Sequence, residues 1–432
     1  MKKLQEKVFR DPVYGYVHVT DQLIWDLIQT KELQRLRRVK QLGGTHMVFH
    51  TAEHSRFSHS LGVYEMARRI IDSLNQRQPI LNEHERMLTL CAALLHDLGH
   101  GPFSHAFESV FSVHHELFTQ RVLLENTQVH EKLEQYKTGF SQEVADVINK
   151  VHPNKVIISI ISSQLDADRL DYLLRDSYFC GTPYGEIDVD RILRTMRVVD
   201  NKIVYKQSGM HAIEDYLLGR YQMYWQVYLH TTGVSFDLII KKMFQRVVYL
   251  IKTGYKFRKP LESLRELVTE KHPHIETFLK FDDSTIFYYA SRFVEEKDEI
   301  LADFADRFIN RRLLKGIQIE PGTGWNELLV DMQGWMQELG IDPNYYLMIE
   351  HSTKSPYDYY SQNSNSTSER IELLMLDDTI KEISEVSNVI KGIISITTKE
   401  EYKIYYPLDL IQSKPDCEAK SKLLKFLHVN EQ

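Results

Sequence analysis

Apolar and polar positions alternate mostly with a helical period. From Ser55 to about Leu74, the residues His59, Val63, Ala67, Ile70, Ile71 and Leu74 fall three and four apart and share one face of a helix that Ser55 caps. His59 is thereby turned inward. Thr30 caps a helix over Lys31–Gln41 that stops at Gly43-Gly44. Asn82 with Glu85 three residues later has the form of a capping box, opening an apolar helix from Met87 to Asp97 that ends at Gly99. Ser162 or Ser163 starts a helix running to about Phe179, on which Asp168, Tyr172 and Asp176 recur every fourth residue. A long helical segment from about Met210 to Lys252 carries a second such stripe, Arg220, Tyr224 and Tyr228. Period-two segments are few. They are a hairpin of Lys7–Arg10 and Tyr16–Val19 around the turn Asp11–Gly15, and a strand pair near Arg197–Lys206. Beyond Arg311 the pattern changes: strand-like Leu313–Ile319, Tyr345–Ile349, Ile371–Met375 and Ile393–Thr397 are interleaved with helices such as Asn326–Leu339, and Ser361–Glu369 is a polar loop. The expected fold is mainly α, with N-terminal hairpin and helices over 1–50, a helical core over 51–300 and a smaller C-terminal α+β module over 301–432.

Composition narrows the class. With 432 residues, 43% hydrophobic and 26% charged, the chain is ordinary for a large folded protein. No apolar run approaches the roughly 18 to 20 residues needed to cross a bilayer, so no membrane span is expected. Met1–Arg10 lacks a signal-peptide core, and three scattered cysteines, Cys91, Cys180 and Cys417, fit a reducing compartment. A cytoplasmic protein is expected. The net charge of −7 argues against a broad nucleic-acid groove, while leaving room for a local basic pocket.

Histidine changes the picture further. Of 19 histidines, ten lie between His46 and His115: His46, His50, His54, His59, His84, His96, His100, His105, His114 and His115. Imidazole is the commonest metal ligand and the usual proton carrier near neutral pH, so such crowding points to a site. The pair His96-Asp97 at a helix end, inward His59 and Asp168 offer four nitrogen and oxygen ligands from three helices, a set suited to first-row divalent metals. An isolated His-Asp pair would be unspecific; its setting here is not.

These residues resemble the H…HD…D motif of the HD-domain metal-dependent phosphohydrolases. The segments QRLRRVKQLGG (34–44), HSRFSHSLGVYEMARR (54–69), HDLGHGPFSHAFE (96–108), HHE (114–116) and DADRLDYLLRD (166–176) are similar to those of the deoxynucleoside triphosphate triphosphohydrolases in that superfamily. The resemblance covers about residues 6–240 and includes the vertebrate enzyme with a sterile-alpha-motif domain, a domain not expected before residue 1 here. It implies a divalent metal (Mg, Mn, Fe or Zn) on His59, His96, Asp97 and Asp168, and hydrolysis of dNTPs to deoxynucleoside and tripolyphosphate. By the same resemblance His115 is the general acid, with His100 and His105 beside it and Glu116 or Glu108 orienting an imidazole. Arg56, Arg169 and Arg220 match phosphate contacts. Tyr172 and Tyr228 match aromatic positions around the sugar, where a tyrosine under C2′ would exclude a 2′-hydroxyl; Gln41 with Asp176 matches the 3′-hydroxyl pair, and Leu42 and Tyr224 complete the substrate-binding set. The remaining histidines of the cluster, His46, His50, His54, His84 and His114, have no necessary role.

The resemblance also implies a regulatory guanine nucleotide at a subunit interface of a homotetramer, or else a dimer. Lys7, Val8, Gln34, Arg37 and Phe57 match that pocket. Two departures leave the effector open: Gln29 replaces an acidic residue that accepts from guanine, and Arg10 stands where an asparagine is found. A third departure, Leu229 in place of a glutamine near the base, leaves base preference open. Competing readings are an HD-domain phosphohydrolase acting on a nucleoside monophosphate, cyclic dinucleotide or alarmone, and a non-catalytic nucleotide-sensing or nucleic-acid-binding scaffold.

Overall fold

The computed structural model describes residues 5–111, 113–320, 322, 325–352, 370–396 and 401–429. The hairpin forms as its turn signal predicts, with β1 (Lys7–Asp11) antiparallel to β2 (Gly15–Val19). Two short helices follow, α1 (Gln22–Ile28) and α2 (Lys31–Arg35). Thr30 does cap α2, but the helix ends earlier than its periodicity suggests and tightens into a 3-10 turn at Leu36–Arg38. The reason is tertiary: Lys40 bridges Ser55, Arg56 N donates to Val39 O at 2.9 Å and Gln41 N to His54 O at 3.0 Å, which extends the backbone.

The core is helical. Ser55 accepts from Ser58 N to open α3 (Arg56–Asn75), and Asn82 with Glu85 makes both bonds of a capping box to open α4 (Glu83–Leu95). There follow α5 (His105–Phe111), α6 (His115–Leu124), α7 (Gln128–Tyr136), α8 (Phe140–Ile148) and α9 (Lys155–Ile161). Then comes α10 (Ala167–Cys180), which begins later than the serines suggest, because Asp166 is its cap and accepts from Arg169 N at 2.6 Å and Ser163 N at 2.8 Å. After α11 (Val189–Thr195), the strand pair β3 (Met196–Val199) and β4 (Lys202–Lys206) leads into α12 (Met210–Met223). The long helix expected from Met210 is broken. A π-turn at Tyr224–Tyr228 and Leu229 intervene, and His230 caps α13 (Thr231–Lys252) by accepting from Thr232 N. The π-turn rotates Tyr224 and Tyr228 out of the register a continuous helix would impose.

Helices α14 (Glu262–Thr269), α15 (Ile275–Phe278), α16 (Asp283–Phe293) and α17 (Glu299–Asn310) complete the core. Beyond them lie β5 (Lys315–Ile319), α18 (Trp325–Glu338), α19 (Pro343–Tyr346), β6 (Met348–Ser352), β7 (Glu372–Leu374), β8 (Ile380–Glu382), α20 (Ile383–Val386), α21 (Asn388–Ile396), β9 (Glu401–Tyr406), α22 (Leu408–Ser413) and α23 (Glu418–Val429). The fold is mainly α with small sheets, as expected. Two further local readings fail here, and two strands were missed. Ile393–Thr397 is not a strand: Asn388–Ile396 is helical, buried through Ile390 and Ile393, and Thr397 lies outside the described residues, as does the 361–369 loop. Tyr345 belongs to α19, which Asp342 caps and Pro343 starts. β8 and β9 were not anticipated, although β9 is the central strand of the sheet β5-β9-β6. A second sheet, β3-β4-β7-β8, joins β7 in parallel to β4 of the core.

Candidate metal centre and adjoining cavity

Three elements converge on one point. From α3 comes His59, from the end of α4 His96 and Asp97, and from the first turn of α10 Asp168. His59 Nε2 lies 3.0 Å from Asp168 Oδ1 and 3.8 Å from Asp97 Oδ2; His96 Nε2 lies 3.3 Å from Asp97 Oδ1 and 3.7 Å from Asp168 Oδ1. Both rings are oriented from behind. His59 Nδ1 donates to Asp171 Oδ2 at 2.8 Å and His96 Nδ1 to Ala93 O at 2.9 Å, so each presents Nε2 to the cluster. His96 Nε2 is buried without a hydrogen-bond partner. A buried orphan nitrogen beside two carboxylates fits a divalent cation, and His59, His96 and Asp168 form a ligand group of suitable spacing. The electrostatics agree. Burial opposes a charge on His59, but its hydrogen bonds to Asp168 and Asp171 outweigh this and lift its pKa to about 10. Burial likewise opposes ionisation of Asp168 and Asp97, yet the neighbouring imidazoles hold both below the carboxylate range.

Beside this cluster stands a second histidine group. His100 and His115 stack with centroids 4.0 Å apart, and Glu108 Oε1 lies 3.2 Å and 3.1 Å from their Nδ1 atoms. Glu108 rather than Glu116 therefore partners His115; Glu116 is exposed in the first turn of α6. Glu108 stays ionised, with its pKa lowered to about 2 because the two imidazole hydrogen bonds outweigh burial. Burial opposes charge on His115, but Glu108 more than compensates and its pKa is raised; burial and then Arg56 lower that of His100. His100 Nε2 reaches to 3.3 Å from Asp97 Oδ1, joining the two groups. His105 begins α5, but its side chain lies outside the described residues.

A cavity of about 540 Å³ opens next to these groups, lined by Gln41, Leu42, Arg56, Tyr172, Asp176, Tyr224 and Tyr228 among others. Arg56 spans from Asp97 Oδ2, 2.5 Å from its Nη1, to Ser104 Oγ, 2.7 Å from its Nη2. Phe103 and Ser104 both have left-handed backbones (φ 52° and 39°), a strained pair held by Phe103 N donating to Asp283 Oδ1 and by Arg56 on Ser104. The aromatic stripe packs edge to face, Tyr172 with Tyr228 at 6.3 Å and Tyr224 with Tyr228 at 5.4 Å. Gln41 leaves its buried Oε1 without a partner, whereas Asp176 receives Tyr228 Oη and His54 Nε2, each at 2.8 Å. His54 thus has a place in the site that its sequence position did not reveal. Arg220 is buried, donating to Gln164 Oε1 at 3.1 Å, and Arg169 is held by Asp166 and Ser163 O. Asp237, which lines the cavity as do Lys241 and Glu350, also escaped the sequence reading.

The residues matched to a regulatory pocket lie elsewhere. Arg37 stacks its guanidinium 3.6 Å above the Phe57 ring and donates to Gln34 Oε1 at 2.8 Å. Lys7 and Val8 sit on β1, and Gln29 is the exposed C-cap of α1.

Fold and site define an HD-domain protein, and comparison with known proteins agrees: the HD domain matches residues 56–176 and the HD associated region residues 187–322, so the chain belongs to the HD-domain family that carries this region. A more particular kinship follows from its relatives. A Bacillus subtilis protein, uncharacterized YwfO, is 47% identical over 99% of this chain and 98% of its own. The Dictyostelium discoideum homologue of the deoxynucleoside triphosphate triphosphohydrolase SAMHD1 is 32% identical over 67% of this chain, which spans 60% of that longer protein. A phosphohydrolase crystal structure from Bacteroides thetaiotaomicron superposes with a TM-score of 0.81 at 29% identity, covering 93% of this chain and all of the other. Among the described residues, no helix is long and apolar enough to cross a membrane.

Proposed function

We propose that this protein is a metal-dependent phosphohydrolase that splits deoxynucleoside triphosphates into deoxynucleoside and tripolyphosphate. The observation that carries this reading is the adjacency of the His59–His96–Asp97–Asp168 cluster to a cavity holding both a free amide acceptor, Gln41, and an aromatic stripe. A divalent ion on those four residues supplies Lewis-acid polarisation of a phosphoryl oxygen and a more acidic water. The chain's own side chains do the rest. Arg56, with Arg169 and Arg220, meets the charge of the triphosphate; Tyr172 packs under the ribose, where a 2′-hydroxyl has no room; Gln41 and Asp176 take the 3′-hydroxyl. Water oxygen bonds to the α-phosphorus, the bond to the 5′-oxygen breaks, and His115, held by Glu108, protonates that leaving oxygen. We extend the reading to regulation: the Lys7, Val8, Gln29, Gln34, Arg37 and Phe57 surface binds a nucleotide effector in a cytoplasmic homotetramer.

Incubation with each dNTP and rNTP in Mn²⁺, with products separated by ion-exchange chromatography, tests the reaction. Tripolyphosphate plus deoxynucleoside, from dNTPs alone, is expected; orthophosphate, pyrophosphate or equal use of rNTPs overturns it. Asp168→Ala should abolish turnover and bound metal together, the latter read by elemental analysis. Adding GTP, dGTP or dATP while following rate and sedimentation tests the effector, and a flat response in both removes it.

A further inference from the structure

The metal ligand His59 is backed by a buried chain of charges that ends in the N-terminal hairpin. Asp171, fully buried, accepts from His59 Nδ1 at 2.8 Å. Behind it lies Arg175, also fully buried, whose Nε and Nη2 donate to the two Asp171 oxygens at 3.0 and 2.9 Å. Arg175 Nη1 in turn donates to Asp11 Oδ2 at 2.9 Å, at the end of β1. From the same turn, Tyr14 Oη donates to Asp171 Oδ1 at 2.8 Å. Asp11 builds the turn as well: its Oδ1 accepts from Val13 N and Tyr14 N, so one carboxylate both clamps Arg175 and places Tyr14. Room for the network is made on α3, where any Cβ at Gly62 would strike Asp171 Oδ1 and Arg175 Nη2.

The charge balance makes the arrangement more than packing. Asp11 and Asp171 carry two negative charges against one on Arg175, so Arg175 is shared between them and Asp171 keeps a carboxylate oxygen on the His59 ring. The Asp171 carboxylate holds the Nδ1 edge of the ring and so keeps Nε2 turned toward the metal cluster. Without Asp11, the whole charge of Arg175 falls on Asp171 and its hold on His59 weakens. Without Tyr14, Asp171 loses the bond that sets its rotation.

We propose that the hairpin turn is a positioning part of the metal centre: Asp11 and Tyr14 hold Asp171, and through it His59, so that hairpin order and metal affinity are thermodynamically coupled. Coupling of this kind is reciprocal, which gives it two independent readouts. The inference rests on the metal-centre reading above but not on the identity of the substrate, because its test contains no nucleotide.

Mn²⁺ is titrated into metal-free full-length protein and free ion is read by electron paramagnetic resonance. Asp171→Asn should weaken binding roughly 10- to 100-fold, and Tyr14→Phe and Asp11→Asn each about 3- to 10-fold. Leu423→Ala, a buried truncation in the distant helix α23, serves as the stability control: it should lower the melting temperature and leave Mn²⁺ affinity alone. Hydrogen exchange of amides 7–19 should slow on Mn²⁺ binding in the wild type and respond less in Asp11→Asn. A Kd within twofold of wild type in both hairpin variants, or hairpin exchange indifferent to Mn²⁺, overturns the coupling alone. Wild-type protein that takes up no Mn²⁺ overturns it together with the metal centre. Tyr14→Phe removes a single hydroxyl from a half-buried ring, so the test survives even if Asp11→Asn does not fold.

Discussion

Asp237 shows how a single side chain can set a pH response. It lines the cavity, as do Lys241 and Glu350, and its Oδ1 accepts from Gly44 N at 3.2 Å. Burial pushes its pKa up to about 7, against a small opposing effect of that hydrogen bond. The folded chain therefore keeps a proton that the unfolded chain releases near pH 4, and stability contributed below that value is lost as pH rises towards 7. Asp237→Asn should flatten this slope, so that the variant's stability relative to wild type rises by up to about 4 kcal/mol between pH 4 and pH 8 in urea melts. Residue-level chemistry was only partly legible in the sequence. His59 on a helix face and His96-Asp97 at a helix end could be picked out from local spacing, and the family resemblance tied Asp168 to them; the structure brings the four side chains together. His54, Asp171 and Asp237 act through partners distant in sequence, Asp176 lying 122 residues from His54, and no local pattern encodes that.

At the scale of elements, close approach decides the geometry of the His100–Glu108–His115 side of the site. Gly99 follows the His-Asp pair, and a Cβ there would strike the backbone of α6 at His115 O and Thr119 N. Gly99 N also donates to Thr119 Oγ1 at 2.9 Å, which fixes α6 against the turn. Gly99→Ala should thus displace His115 and cost about 2 kcal/mol or more by thermal melting, with turnover falling further than the melting curve alone explains. Asn82→Ala, which removes a cap remote from the cavity, should cost about 1 kcal/mol and leave turnover unchanged. Caps such as Asn82, Ser55 and Thr30 were readable because their chemistry is local. The later start of α10, the π-turn at Tyr224–Tyr228 and strand β9 were not, since each answers to partners elsewhere: the Asp166 carboxylate folding back on Ser163, the core around Val227, and the flanking strands β5 and β6.

Across the whole molecule, the C-terminal segment is sewn into the core. β7 extends the sheet begun by β4, Leu373 and Tyr205 being register partners, and Ser235 Oγ on α13 donates to Leu314 O at 2.8 Å. A chain ending at Arg311 should expose the edge of β4 and one side of α13, and should melt without a single cooperative transition and scatter light at concentrations where the full chain is monodisperse. The division of labour within the site has a different consequence. The cluster around His59 draws on α3, the end of α4 and α10, whereas Leu229, Val234, Leu238 and Lys241 in the cavity wall belong to the start of α13 and its approach. Arg56, Tyr172 and Asp176 join the same cavity to α3 and α10, and Arg56 bonds Asp97 directly, so substitution of Arg56 should combine non-additively with substitution of Asp97, whereas the α13 wall carries none of the cluster residues. Such a layout leaves evolutionary room: Val234, Leu238 and Lys241 on α13 can drift in size and charge without altering any residue of the His59 cluster.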